Sequence, residues 1–178
     1  MEIKIRLNDH KYRYDVYQMF NIYFALDELK FVDDGEYIIN IEENKITFAF
    51  NGYYKESLIG ENIKEDIKRL VFESLKDITG EEHPWGILVG IRPSKIALKY
   101  LNEGKSNEEI VEIFKEKHLA AREKAELCIE VAKAEESFVN TDEKKIAIYV
   151  GMAFCPTRCF YCSFAANPIM GNKKMVNP

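Results

Sequence analysis

The stretch "AIYVGMAFCPTRCFYCSFAA", residues 147–166, places Cys155, Cys159 and Cys162, three of the chain's four cysteines, within eight positions. It starts inside "IAIYV" at 146–150, a short and wholly apolar run that reads as a buried strand. A strand that opens into a loop of spaced thiols governs how the rest of the chain is read. The spacing is Cys-x3-Cys-x2-Cys. Structural zinc normally takes four ligands, often in paired Cys-x2-Cys knuckles. A fourth ligand here would have to be Cys128, His10, His83 or His118, none of them at a local spacing. Bacterial ferredoxin loops, with Cys-x2-Cys-x2-Cys and a further Cys-Pro, do not match either. Three thiolates in a tight loop can hold three irons of a four-iron cubane and leave the last iron open to a small chelating molecule.

Bulk properties set the frame. The 178 residues are 47% hydrophobic and 31% charged, the balance of a globular protein with enough apolar mass for a core. No apolar run approaches the roughly 18 residues of a membrane span. The N-terminus "MEIKIRLNDHKYRYD" alternates charge with Ile and Leu, unlike a signal peptide. The expected address is therefore the cytoplasm, where thiols stay reduced and metal or redox chemistry outranks disulfides. Net charge is −5, unevenly spread: residues 145–178 hold Lys145, Arg158, Lys173 and Lys174 with no Asp or Glu, which leaves −9 on residues 1–144. Such an acidic body argues against a general nucleic-acid binder, which would normally show a basic face. A segment free of carboxylates suits an anionic cluster or ligand.

Along the chain, "IKIRL" at 3–7 alternates like a half-buried strand. In "KYRYDVYQMFNIYFALDELK" the residues Tyr12, Val16, Met19, Tyr23, Leu26 and Leu29 recur at helical spacing, predicting one amphipathic helix. "EYIINIEENKITFAF" predicts a hairpin around a Glu-Asn turn, and "NGYYKES" either extends the sheet or loops out. "ENIKEDIKRLVFESLKDITG" predicts a second amphipathic helix, with Gly80 placed to end it. These elements form an α+β unit over 1–80. Residues 81–140 read as a helical connector region. "WGILVGI" is a connector or short strand, Pro93 opens a helix that ends at Gly104, and Ser106 with Glu109 caps the next. A long helix is expected from about Leu119 to Phe138. Cys128 falls on the inner face of that helix and reads as a small core residue.

With these elements in place, the thiol loop resembles the cluster loop of the radical S-adenosylmethionine enzymes: a strand, Cys-x3-Cys-x2-Cys, and an aromatic, Tyr161, just before the last cysteine. The wider run "YVGMAFCPTRCFYCSF" is similar to the oxygen-independent coproporphyrinogen III oxidases, or dehydrogenases, whose loop commonly reads Tyr-x3-Pro-Phe-Cys. The upstream block "PWGILVGIRPSKIA" resembles their HemZ-like subgroup with a long N-terminal extension. These stretches cover about a fifth of the chain, and Ala153 stands where the family usually has Pro.

The resemblance implies a [4Fe-4S] cluster on Cys155, Cys159 and Cys162, with S-adenosylmethionine on the open iron beside Tyr149 and Tyr161. One electron from an unidentified donor would break a carbon–sulfur bond to give a 5′-deoxyadenosyl radical. That radical would take hydrogen from a propionate of a porphyrinogen substrate, and loss of carbon dioxide and an electron would leave a vinyl group. In fold terms it implies that 145–178 begin a partial α/β barrel of the TIM type, with "IAIYV" as first strand and cluster loop. A parallel strand needs crossover units of about 30 residues each. The expectation is therefore a truncated barrel, inactive alone. Arg92, held out of helical geometry by Pro93, lies just ahead of a helix N-terminus and is a candidate for a substrate carboxylate. Its structural alternative is a surface arginine paired with Glu81, Glu82 or a C-terminal carbonyl. Two other functions stay open at this point: a radical relative that binds haem or acts on another substrate, and a zinc-binding or protein-interaction module.

Overall fold

The computed structural model describes residues 2–138, 146, 148–151, 154–157 and 167–169. The chain divides into two units, Met1–Val139 and Asn140–Pro178. The first holds both the expected α+β unit and the helical connector region.

It is built on a five-stranded mixed sheet in the order β2-β1-β3-β4-β5. β1 (Ile3–Leu7) leads into α1 (Arg13–Tyr23), which returns the chain to β2 (Leu29–Phe31), parallel to β1. β3 (Tyr37–Ile41) lies parallel on the other side of β1. β4 (Lys45–Phe50) and β5 (Tyr53–Leu58) then continue as an antiparallel meander, with Ile39 opposite Phe48 and Phe48 opposite Lys55. Period-two alternation sends Ile3, Ile5, Leu7, Tyr37, Ile39, Ile46 and Phe48 into one core. α1 covers that face with Val16, Met19 and Phe20, and α2 (Ile63–Thr79) with Ile67, Leu70, Val71 and Leu75. Phe20 sits at the centre, edge-on to Tyr37 at 5.2 Å and stacked on Phe48 at 6.4 Å. Such aromatic contacts add about 0.5–1.5 kcal/mol each beyond area burial.

One expectation is corrected here. The helix predicted through Leu29 ends at Tyr23; Phe24 is extended, Leu26–Glu28 form a 3-10 turn, and Leu29–Phe31 pair with β1. Helical spacing did continue to Leu29, but the open edge of β1 offers backbone partners that a longer helix would forgo. The Glu-Asn hairpin forms, and residues 53–58 extend the sheet. At the end of α2, Gly80 takes φ 72° and its N–H bonds to the Lys76 carbonyl, the left-handed cap its sequence position predicts.

From Gly80 to Phe138 the chain forms no strand; "WGILVGI" is a connector. α3 (Pro93–Asn102), α4 (Asn107–His118) and α5 (Arg122–Glu135) pack into a second hydrophobic cluster around Ala97, Ile110, Phe114, Ala125, Cys128 and Ile129. Ser106 and Glu109 form the expected capping box at the start of α4. The last helix begins at Arg122 rather than Leu119, because Leu119 takes φ 56° and closes α4.

The connector welds the two clusters. Ala121 N–H donates to the Pro84 carbonyl at 2.8 Å, and Ile87 N–H to the His118 carbonyl at 3.0 Å. Ile87 then enters the sheet core while its neighbour Leu88 enters the helical one. Arg69 of α2 donates to the carbonyls of Glu116 and Lys117, the unsatisfied end of α4. Gly86, at φ 55°, passes so close that a Cβ would lie 2.1 Å from the His118 oxygen. Backbone on both sides leaves no room to relax. Gly86→Ala is therefore expected to destabilise the chain by more than about 3 kcal/mol in urea unfolding. A loss below about 1 kcal/mol would contradict this packing.

His118 lies buried in the same weld, edge-on to Phe114 at 5.7 Å. Burial pushes its imidazole below the ordinary value; Lys117 and Arg69 push the same way, and Glu65 opposes them. A folded pKa below the unfolded value of about 6.5 stabilises the fold above that pH, and the contribution is lost as pH falls through the folded pKa. Urea midpoints are expected to drop from pH 7.5 to pH 5, and to drop less in His118→Gln. Equal drops in both proteins would sink this assignment.

Candidate functional site

The second unit contributes two short strands, β6 (Phe154–Cys155) and β7 (Asn167–Pro168), paired parallel with Phe154 opposite Asn167 and Cys155 opposite Pro168. In sequence they bracket the segment that carries Cys159, Tyr161 and Cys162, which lie outside the described residues. Cys155 is a free thiol, half-buried, at the end of β6 just before the bend at Pro156 and Thr157. Of the expected first strand, Ile146, Ile148, Tyr149 and Val150 are described; they lie in no strand and are highly exposed. Tyr149 is 89% exposed. Its ring rests on Gly151, where a Cβ would come within 2.7 Å of the ring edge.

The donor chemistry of this unit is narrow. Residues 145–178 hold three thiols and no Asp, Glu or His. Soft sulfur without hard oxygen suits iron–sulfur clusters or zinc rather than magnesium or calcium. Three ligands rather than four fall short of a closed structural zinc site. The residues therefore fit a cluster held at three corners. Among the described residues, no group of three or more His, Cys, Asp or Glu is disposed to hold a metal ion.

The remaining candidates fall in the first unit. Cys128 is buried among the helices, and burial pushes its thiol up, away from the thiolate that a metal needs. His118 is committed to the weld. His83 stacks edge-on to Tyr23 at 4.5 Å, with its Nε2 3.5 Å from Glu81. Arg92 occupies the N-cap of α3 in extended geometry (φ −97°, ψ 97°), as a residue before proline must. Its guanidinium lies 3.9 Å from Glu135, whose other contact is the Ser94 hydroxyl at 3.2 Å. The carboxylate facing Arg92 thus comes from α5. Glu81 and Glu82 face His83 and Lys76 instead.

A cleft of about 770 Å³ between α2 and the α4–α5 corner was not legible in the sequence. Its cations are already matched: Lys55 with Glu73 at 3.1 Å and Asp77 at 3.2 Å, and Lys76 with Glu82 at 2.7 Å. Tyr53 donates to Asp77 at 2.7 Å, and that hydrogen bond holds the carboxyl below its usual range. This self-neutralised network braces β5 against α2.

Compared with known proteins, the chain is 36% identical over 112 residues to the oxygen-independent coproporphyrinogen-III oxidase-like protein HemZ of Bacillus subtilis (strain 168). The match takes in 61% of this chain and 22% of the relative, so the chain spans about a fifth of that protein's length. No family model matches it. No solved structure matches it significantly.

The contrast between the two described thiols is open to measurement. In the folded chain, iodoacetamide at pH 7.5 is expected to alkylate Cys155 at least tenfold faster than Cys128, read by peptide mass spectrometry. Equal rates without denaturant would show that Cys128 is not a core residue.

Proposed function

We propose, from the partial likeness to a HemZ protein, that this chain carries the cluster loop of a radical S-adenosylmethionine oxidoreductase of porphyrin metabolism. The reaction is oxidative decarboxylation of coproporphyrinogen III propionates to vinyl groups, and the setting is the reducing cytoplasm. The observation that carries the reading is the Cys-x3-Cys-x2-Cys loop in a segment with no competing oxygen or imidazole ligand.

In this reading Cys155, Cys159 and Cys162 hold three irons of a [4Fe-4S] cluster. When bound, the cluster supplies the one-electron reduction of S-adenosylmethionine, fed by an electron donor of unidentified kind. The protein's part is placement. Each thiol gives up its proton to become a ligand, so loading is favoured as pH rises. The charge of +4 over residues 145–178 offsets the three thiolates and leaves no carboxylate to repel the cofactor's own. Tyr149 offers an exposed aromatic face six residues before the first ligand, and Tyr161 stands immediately before the third in sequence. Both suit stacking on an adenine. Arg92 is the candidate for a substrate carboxylate, with Glu135 the internal carboxylate that a ligand would have to displace.

Anaerobic reconstitution tests the reading. The chain is expected to bind about four irons and four sulfides, and Cys155→Ser, Cys159→Ser and Cys162→Ser each to lower that several-fold, while Cys128→Ala does not. One zinc per chain with no iron uptake would contradict it and favour a zinc-binding module.

A further inference from the structure

β6 and β7 are each two residues long, and in sequence they stand on either side of the thiol run. β6 ends on Cys155, and β7 starts five residues after Cys162. Their parallel pairing sets Phe154 opposite Asn167 and Cys155 opposite Pro168. In a parallel ladder the bonding residue of a pair reaches the two residues that flank its partner. Pro168 has no N–H to give, so at this pair the bonds run through the main chain of Cys155. Its N–H faces the Asn167 carbonyl, and its carbonyl faces the Ile169 N–H. Proline also fixes the register. A slip of one residue would turn the Pro168 nitrogen toward β6 and lose a donor. In the observed register that nitrogen faces away from β6, on the outer edge, where a sheet tolerates proline.

The first thiol of the series thus belongs to a residue whose own amide and carbonyl are committed to chain beyond the last thiol. Cys155 itself is half-buried and free of any disulfide. Eleven residues, 156–166, separate the two strands, and Cys159 and Cys162 are among them. An open segment of that length loses conformational entropy when three of its thiols meet at one ion. Joining its ends before binding removes part of that cost.

We infer that Asn167, Pro168 and Ile169 are positioning residues for the thiol site: β7 holds the main chain of Cys155, and through it the first ligand, ready for the metal. A ladder of two residue pairs is marginal by itself. Metal binding by the thiols and pairing of β6 with β7 therefore favour each other, each by the same factor. The inference deepens the proposed cluster reading and rests on it for the identity of the bound group, but the ladder needs no iron.

Two variants separate main chain from side chain. Ile169→Pro removes the N–H that β7 offers to Cys155, while Ile169→Ala shortens the side chain and keeps that N–H. The probe is cobalt(II), titrated anaerobically into the reduced 178-residue chain, because its thiolate charge-transfer absorption reports sulfur ligation without a cluster. Circular dichroism checks that each variant folds. The expected cobalt Kd is weaker by about fivefold or more in Ile169→Pro and within about twofold of the parent in Ile169→Ala. Amide exchange supplies a readout that side-chain loss would not move. Cobalt is expected to slow the Cys155 amide about fivefold or more in the parent and in Ile169→Ala, and less than about twofold in Ile169→Pro. Equal Kd values in all three chains, equal weakening in both variants, or a Cys155 amide indifferent to cobalt in the parent would each overturn the inference. Absence of thiolate-to-cobalt absorption in the parent would overturn it too, since β7 would then bring no thiols together. Iron loading is measured separately. A chain that passes the cobalt test and takes up no iron loses the cluster reading and keeps the role of β7; a chain that loads iron equally well in all variants loses the role of β7 alone.

Discussion

The first unit depends on one short passage of backbone, Pro84–Leu88 lying against His118–Ala121. Two backbone hydrogen bonds cross it, from Ala121 to Pro84 and from Ile87 to His118. The next two side chains then part company, Ile87 into the sheet core and Leu88 into the helical one. Because successive residues at the end of one tight turn anchor different cores, neither cluster can shift without straining the other. The close approach needs a glycine at 86, and it needs Leu119 to leave the helix in a left-handed turn so that the His118 carbonyl and the Ala121 N–H meet the connector. Residues 2–138 thereby form a single mixed scaffold, which is why the expected boundary near residue 80 marks a change of architecture inside one compact unit.

Features set by neighbours in sequence were legible. Gly80, Pro93 and the Ser106–Glu109 box end or begin helices for reasons confined to one turn of chain, and the structure uses all of them. The hairpin between β3 and β4 follows from alternation around its turn. What stayed hidden was set by partners far along the chain. β2 is three residues long and exists because β1 has an open edge; nothing in "LKF" distinguishes it from the end of α1. The start of α5 moved because Leu119 was claimed by the weld. Likewise Arg92 was legible as a cation ahead of a helix, but its neighbour Glu135 comes from a helix 41 residues beyond Ser94, which shares that carboxylate.

For the candidate site the balance reverses. The thiol spacing is a local property and was readable at once, together with the absence of competing ligands across residues 145–178. The structure adds the free, half-buried Cys155 at the end of β6 and the Tyr149 ring lying on Gly151. The electrostatics of the chain divide accordingly. The first unit is acidic overall and pairs some of its charges in networks such as Tyr53–Asp77–Lys55–Glu73. The thiol segment that follows it in sequence, residues 145–178, carries no carboxylate. Its formal charge of +4 suits anions that the protein does not itself provide.

The account turns on three thiolates leaving one iron without a protein ligand. Mössbauer spectroscopy of the chain reconstituted with iron-57, recorded before and after adding S-adenosylmethionine, tests that most directly. One iron in four is expected to change its isomer shift on addition while the other three keep theirs. A spectrum in which no iron responds, or in which all four respond alike, would contradict it.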